Sequence, residues 1–261
     1  MQYAGLLLCG IVIGCIGTLV GAGGGFLLVP LLVFLYPHEK PAVIASISLA
    51  VVFCNTLSGT VAYLRRRKVD VRSGLRFGAT AIPGSVLGAF AVSKLPRAGF
   101  EGILGVVLIG AGAFMLISKG RPAEQSDGET GWMGPHIAKR PIVGMAISFV
   151  VGFLSSLLGI GGGVMHVAVL AQMLGFPVHV ATATSHFVLA MTAGAGTITH
   201  IALGAFHEGW RRMASLGVGA LIGAQIGAWW AKRASPALIL RLLAVLLVVL
   251  GVRILIQSLA G

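Results

Sequence analysis

Hydroxyl, amide and imidazole side chains lie beside two glycine clusters in an otherwise strongly apolar chain. Such groups suit the oxygens of a small anion, because hydroxyls and backbone N–H groups meet those oxygens at a lower desolvation cost than a fixed ammonium. Each hydroxyl also has a structural alternative, since helical serine and threonine bond the carbonyls of their own preceding turn. The candidate ligands of this kind are Ser46, Ser48, Asn55, His166, Thr184, Ser185 and His186.

The glycine clusters themselves recur at matching positions: GAGGGFLLVP begins at Gly21, and GIGGGVMHVA begins at Gly159. Glycine inside a helix costs about 1 kcal/mol relative to alanine, so a matched pair predicts two deliberate helix breaks, whereas a single cluster would fit close helix packing. In a bilayer an unwound backbone is tolerated only inside protein or beside a cavity. A helix that restarts there directs free N–H groups and partial positive charge toward an anion. The glycines assigned to the binding set are Gly23, Gly24, Gly25, Gly161, Gly162 and Gly163.

Charged side chains are missing from the middle of the segments that hold these residues. A sodium or metal site built on carboxylates and an acidic proton relay are therefore poorly supported. Histidine remains, either as a neutral donor in packing or as a titrating group that adds charge beside an anion. The sequence also lacks H-E-x-x-H, G-x-S-x-G and a Walker lysine, so we expect no enzyme activity, no metal and no cofactor.

The composition identifies the elements that position these residues. Of 261 residues, 57% are hydrophobic and only 10% are charged, which is typical of a polytopic membrane protein. The net charge of +12 comes from Lys and Arg at the ends of apolar runs, so it is a topology signal and not a nucleic-acid surface. Eight apolar segments are predicted, near 4–36, 42–64, 74–93, 99–118, 142–175, 177–206, 213–231 and 236–259.

The segments divide into two similar halves and predict an all-α membrane protein. We assign 1–118 to a first repeat, 119–140 to a cytoplasmic linker and 141–261 to a second repeat. ASISLAVVF at Ala45, for example, parallels TATSHFVLA at Thr182.

Two arrangements of these repeats are open. They are parallel if all eight segments span, and inverted if segments 1 and 5 turn back at the glycines as re-entrant hairpins. The Lys and Arg distribution fits both and places the basic loop 65–68 in the cytoplasm in either case. Residues 26–36 cover only about 16 Å as a helix, which favours the inverted arrangement.

These paired G-x-G-G-G motifs and the C-terminal stretch GALIGAQIGAWWAKRASPALILRLLAVLLVVLGVRILI resemble the TauE/SafE family of sulfite exporters. The resemblance implies a multi-pass permease of a prokaryotic cell membrane that moves sulfite, sulfoacetate or related anions outward without an ATP-hydrolysing partner. A permease for another small anion and a membrane subunit that organises another protein remain alternatives. Small residues at every fourth position in segments 3 and 7 predict close helix packing, within the fold or across a homodimer.

Overall fold

The structure is a computed structural model that describes residues 2–117, 141–205, 210–230 and 236–260. Its elements are all helical in these ranges, which confirms the predicted all-α class, while the predicted linker 119–140 lies outside the described residues. The helices are α1 (Gln2–Val20), α2 (Gly25–Leu35), α3 (Pro41–Arg65), α4 (Val71–Val92), α5 (Arg97–Ile117), α6 (Pro141–Leu158), α7 (Gly163–Ala168, continued by a π-helical turn, Val169–Met173), α8 (Val178–Ala202), α9 (Trp210–Trp230) and α10 (Pro236–Ala260).

The described helices have the length and composition of a membrane protein. Four of them are long and apolar enough to cross a bilayer, namely α3, α4, α5 over Arg97–Leu116, and α9. Shorter apolar stretches occur in α1, α2, α6 and α10. Large apolar side chains such as Leu8, Val106 and Val249 are exposed on the outside of the molecule, as a surface in contact with lipid requires.

The first predicted segment is a hairpin of α1 and α2. Arg212, near the start of α9, pairs with Glu39, which follows α2, at 2.6 Å. Helix α1 runs parallel to α9, because Gly10 faces Leu216 and Gly14 faces Ala220. The hairpin therefore enters and leaves at the end of the molecule where α9 begins.

The fifth predicted segment is a hairpin of α6 and α7 at the opposite end. Gly144, near the start of α6, faces Leu174, which follows the π-helical turn; a Cβ there would lie 3.4 Å from the Leu174 side chain. Helix α6 runs parallel to α4, because Gly84 faces Phe149 and Gly88 faces Phe153. Helix α4 begins at the end of the molecule away from the start of α5. Arg97 at the start of α5 bonds the carbonyl of Glu39, which follows the first hairpin. The two hairpins therefore enter from opposite ends.

Equivalent helices of the two halves meet in antiparallel pairs. In the α3–α8 pair, Gly59 faces His186 whereas Phe53 faces Gly194. Helices α5 and α10 also run antiparallel. The hairpin helices α1 and α6 instead pack on α9 and α4 of the opposite half. The small residues of segments 3 and 7 serve this packing inside the chain, so they lend no support to a homodimer.

A cluster of charged side chains fixes the end of α2. Arg97, at the start of α5, binds the Glu101 carboxylate at 2.6 Å. The same guanidinium donates to the main-chain carbonyls of Glu39 at 2.9 Å and Val33 at 3.3 Å. A cation is favourable at this helix C-terminus, where backbone carbonyls have no partner in the helix. One end of the first hairpin is thus tied to α5 and, through Arg212, to α9.

Candidate functional site

Each glycine cluster ends one helix and begins the next through a left-handed residue. Gly24 precedes α2 with φ 82°, and Gly162 precedes α7 with φ 62°. A side chain in this conformation costs about 1–2 kcal/mol, so glycine is the residue of choice at both positions. The first turn is closed by backbone bonds such as that from Ala22 N–H to the Gly17 carbonyl, 2.8 Å. Among the described residues, the backbone amides of Gly24, Gly25 and Phe26 donate no hydrogen bond to a main-chain carbonyl.

The two breaks lie directly against each other in the middle of the molecule. A Cβ on Gly25 would lie 2.6 Å from the Ile160 carbonyl oxygen, and one on Gly163 would lie 2.5 Å from the Ala22 Cα. Both positions begin a helix, and each faces the other half's break. Glycine is therefore required here by the close approach of two main chains.

Two apolar side chains cover this crossing. Val52 of α3 and Leu189 of α8 both lie within 4 Å of where a Cβ would stand on Gly23, and also on Gly161. Both side chains are fully buried. The breaks are therefore enclosed by apolar contacts in this structure. Sequence analysis missed these two residues, because one more Val or Leu in an apolar helix carries no signal.

Ser48 and Ser185 connect each half to the break of the other. The Ser48 hydroxyl donates to the Gly159 carbonyl at 2.7 Å. The Ser185 hydroxyl lies 3.3 Å from the Gly21 carbonyl and 3.2 Å from that of Gly163. The structure thus places both predicted hydroxyls at the breaks, bonded to main-chain carbonyls.

Asn55 holds the first break from within its own half. Its Nδ2 donates to the Gly23 carbonyl at 2.9 Å, and its Oδ1 accepts from the Thr18 hydroxyl at 2.8 Å. The Tyr63 hydroxyl donates to the Thr18 carbonyl at 3.1 Å, which extends the network along α3. Thr18 and Tyr63 were not among the predicted residues, although Thr18 precedes Gly21 by only one helical turn.

The structure places Ser46 and Thr184 in other contacts. The Ser46 hydroxyl donates to Val43 O of its own helix at 2.9 Å, the structural alternative noted for helical serines. The Thr184 hydroxyl accepts from the Asp70 N–H at 3.0 Å and so joins α8 to the start of α4. Neither bond reaches a glycine break.

The predicted histidines are buried. His166 is 2% and His186 0% exposed, and none of their ring nitrogens makes a hydrogen bond of good geometry in the part of the chain that the structure describes. The His166 ring lies near the Gly162 carbonyl, and the His186 ring lies near those of Gly21 and Thr182. The His186 ring meets Tyr63 edge to face at 5.5 Å between centroids. Its Nε2 would lie 3.0 Å from a Cβ on Gly59, so this glycine makes room for the imidazole. His166 lies in α7, one turn after the second break.

The fold and the site define an all-helical membrane protein whose centre is two crossed, glycine-broken helices, with no group of three or more potential metal-binding side chains among the described residues. The chain belongs to the sulfite exporter TauE/SafE family, which it matches over residues 6–254. It is a membrane transporter of that family and not an enzyme.

Relatives from distant organisms carry transporter names. The chain is 33% identical to the probable membrane transporter protein YunE of Bacillus subtilis, over 99% of each chain. It is 27% identical to a probable membrane transporter protein of Methanocaldococcus jannaschii, over 75% of this chain and 71% of the relative. No solved structure matches the chain.

Proposed function

We propose that this protein is a secondary transporter that exports sulfite or a small organosulfonate such as sulfoacetate across the cell membrane. The anion would be held between the two glycine-broken helices. The observation that carries this proposal is the direct contact of the two breaks, in which Gly25 faces Ile160 and Gly163 faces Ala22. Two hairpins that meet in this way provide one central point that either end of the protein could expose in turn.

Electrostatics supports an anion as the substrate. Helices α1, α2, α6, α7 and α8 contain no Lys, Arg, Asp or Glu, and the only one in α3 is the terminal Arg65. The field at the crossing is therefore set by backbone dipoles and hydroxyl groups. The start of α2 offers first-turn amides and about half a positive charge, which favour an anion without the desolvation of a lysine.

We further propose that the halves are inverted repeats with domain limits 1–118 and 141–261. The antiparallel α3–α8 and α5–α10 pairs support this arrangement, because equivalent helices related by an axis in the membrane plane run in opposite directions. The entry of the two hairpins from opposite ends supports it as well. With the basic loop 65–68 inside, the first hairpin would enter from outside and the C-terminus would lie outside.

Within the proposed substrate site, the residues have two kinds of role. Ser48, Ser185 and Asn55 hold the carbonyls of the breaks and would exchange these bonds for substrate oxygens when the hairpins separate. His166 and His186 contribute buried ring nitrogens beside them. The full proposed set is Gly23, Gly24, Gly25, Ser46, Ser48, Asn55, Gly161, Gly162, Gly163, His166, Thr184, Ser185 and His186.

Binding of small anions tests this proposal. The thermal stability of the purified protein is measured with sulfite, sulfoacetate, sulfate, phosphate and chloride, because a ligand at 100 times its Kd stabilises the folded state by about 2.7 kcal/mol. Stabilisation by sulfite or sulfoacetate alone supports the proposed substrate. Stabilisation only by another ion would identify a permease for that anion.

Transport in proteoliposomes tests the role of the breaks. Gly24→Val and Gly162→Val should abolish uptake, because a β-branched residue is strained at positive φ. Gly110→Val is the matched control, since nothing lies within 4 Å of a Cβ at that position. Normal transport by both break variants would reduce the glycines to packing elements. A parent protein that transports none of the anions would favour a membrane assembly subunit.

A further inference from the structure

A second group of polar side chains surrounds Gly196 in α8, outside the proposed substrate set. A Cβ at this glycine would lie 2.7 Å from the Ser156 hydroxyl of α6 and 2.7 Å from the Ser85 hydroxyl of α4. His200 follows Gly196 by one helical turn and therefore lies on the same face of α8. The neighbouring helices thus bring two hydroxyls and an imidazole to a close-packed position, where the Leu49 Cδ2 of α3 would also lie 2.6 Å from a Cβ on Gly196.

Two of these side chains lack partners although they are buried. Ser156 is 0% and His200 1% exposed, and within the described ranges neither the Ser156 hydroxyl nor a His200 ring nitrogen makes a hydrogen bond of good geometry, although the His200 ring lies near the Ser156 main-chain carbonyl. An unsatisfied buried donor costs about 1–3 kcal/mol. The Ser85 hydroxyl donates a hydrogen bond to the Thr192 carbonyl at 2.8 Å. The group therefore holds donors that the protein itself leaves unused.

The residue of the first half that corresponds to His200 has a hydrogen-bond partner within the protein. When SGTVAY at Ser58 is aligned with AGTITH at Ala195, Gly59 corresponds to Gly196 and Tyr63 to His200. The Tyr63 hydroxyl donates to the Thr18 carbonyl at 3.1 Å. The Thr18 hydroxyl in turn donates to Asn55. Unpaired groups occur beside Gly59 as well, in Thr60 and His186, but Tyr63 has a partner where its counterpart His200 has none of good geometry.

We propose that Ser85, Ser156 and His200 form a second oxyanion subsite, which receives a small sulfonate or sulfite ion between the central breaks and the end of the protein where α5 begins. This proposal rests on the proposed anion transport. Its ligand is an anion because the available groups are neutral donors without a nearby carboxylate: Ser156 O–H and a His200 N–H would donate to its oxygens. Ser85 could join them by releasing the Thr192 carbonyl. Entry of the ion requires α6 to separate from α8.

Cysteine labelling with reagents of opposite charge tests the subsite directly. The full-length protein, with Cys9, Cys15 and Cys54 replaced by alanine, receives Ser156→Cys or Ser85→Cys. Each purified variant is treated in detergent, where both faces are open, with 2-sulfonatoethyl methanethiosulfonate or its trimethylammonium analogue. The sulfonate is the probe for the anion, so no knowledge of the natural substrate is needed.

Relative to the same ratio at the reference variant Thr199→Cys, the ratio of the sulfonate rate to the cationic rate should be about tenfold higher in both cysteine variants, since a site that favours anions concentrates the sulfonate. Methanesulfonate should slow this reaction. Thr199→Cys is the control without charge preference, because the Thr199 hydroxyl bonds Ala195 O of its own helix, 2.9 Å away, and the residue is only half-buried. Size-exclusion chromatography establishes that each variant is folded.

A rate ratio equal to that of Thr199→Cys, or no reaction at either cysteine in folded protein, would overturn the subsite. Gly196→Ala should remove the charge preference at Ser156→Cys, because its methyl group would displace both hydroxyls, whereas Gly110→Ala should preserve it. A preserved preference in the Gly196 variant would also contradict the proposal. The proposed central site is tested by a separate experiment: normal transport by the Gly24→Val and Gly162→Val variants would contradict it.

Discussion

Alanine at the two glycines of the crossing should loosen the contact between the hairpins. A Cβ on Gly25 would lie 2.6 Å from the Ile160 carbonyl oxygen, and one on Gly163 would lie 2.5 Å from the Ala22 Cα. In each case the obstacle is main chain, which cannot rotate away. We expect each substitution to lower the free energy of unfolding and to slow transport.

The magnitude follows from two opposing contributions. Alanine gains up to about 1 kcal/mol over glycine in a helix. Overpacking costs about 1–3 kcal/mol, so the net loss of stability for Gly25→Ala or Gly163→Ala should be about 0–2 kcal/mol. Gly110→Ala receives the propensity gain without the clash, because nothing lies within 4 Å of a Cβ at that position. Variant and control should therefore differ by the overpacking cost alone, about 1–3 kcal/mol.

Thermal unfolding of the purified proteins measures this difference. A loss of 1 kcal/mol in stability lowers the melting temperature by about 2–4 °C, so both variants should melt several degrees below Gly110→Ala. In the double variant, separation of the hairpins by the first methyl group makes room for the second. The double variant should thus lose less than the sum of the single losses. Full additivity, or a Gly25→Ala protein as stable as the control, would refute direct contact of the breaks.

Three further predictions concern the supports of the site and its orientation. Asn55→Leu should cost about 1–3 kcal/mol in denaturant unfolding, because it leaves a buried carbonyl and hydroxyl unpaired, whereas Thr80→Val should cost little since that hydroxyl bonds its own helix. Arg97→Met should cost about 3 kcal/mol in the same assay by leaving a buried carboxylate unpaired; an unchanged midpoint would contradict the role of this arginine. In intact cells, a membrane-impermeant thiol reagent should label Lys94→Cys but not Lys68→Cys in a cysteine-free background; the reverse pattern would invalidate the proposed orientation.

The sequence was sufficient to predict the breaks, because glycine has a distinct backbone preference that can be read locally. The same holds for the helical class, whereas the inverted arrangement with re-entrant hairpins, which the short stretch after Gly25 favours, stays a prediction. Ser48 and Ser185 were predicted to lie at the breaks because they belong to the hydroxyl groups beside the two glycine clusters. Their partners were not predictable: Gly159 and Gly21 belong to the other half in each case.

Other side chains near the breaks in sequence have different roles in space. Ser46 lies two residues before Ser48, yet rotation along the helix directs its hydroxyl to Val43 of the same helix. Thr184 precedes Ser185 and bonds Asp70. Helical rotation of about 100° per residue separates such neighbours, and only the packing of the other helices decides which face reaches the breaks.

Each hairpin packs against a helix of the other half, and this packing explains why so many glycines occur far from the breaks. Helix α1 packs against α9 of the second half, and Gly219, Gly223 and Gly227 face the main chain of α1. Helix α6 packs in the same way against Gly84 and Gly88 of α4. Each half therefore supplies the surface on which the other half's hairpin lies. Each hairpin turns at its break, so the close packing of these glycines fixes the depth at which the two breaks meet. The same glycines recur in the two halves, in PGSVLGAF at Pro83 and IGAQIGAW at Ile222.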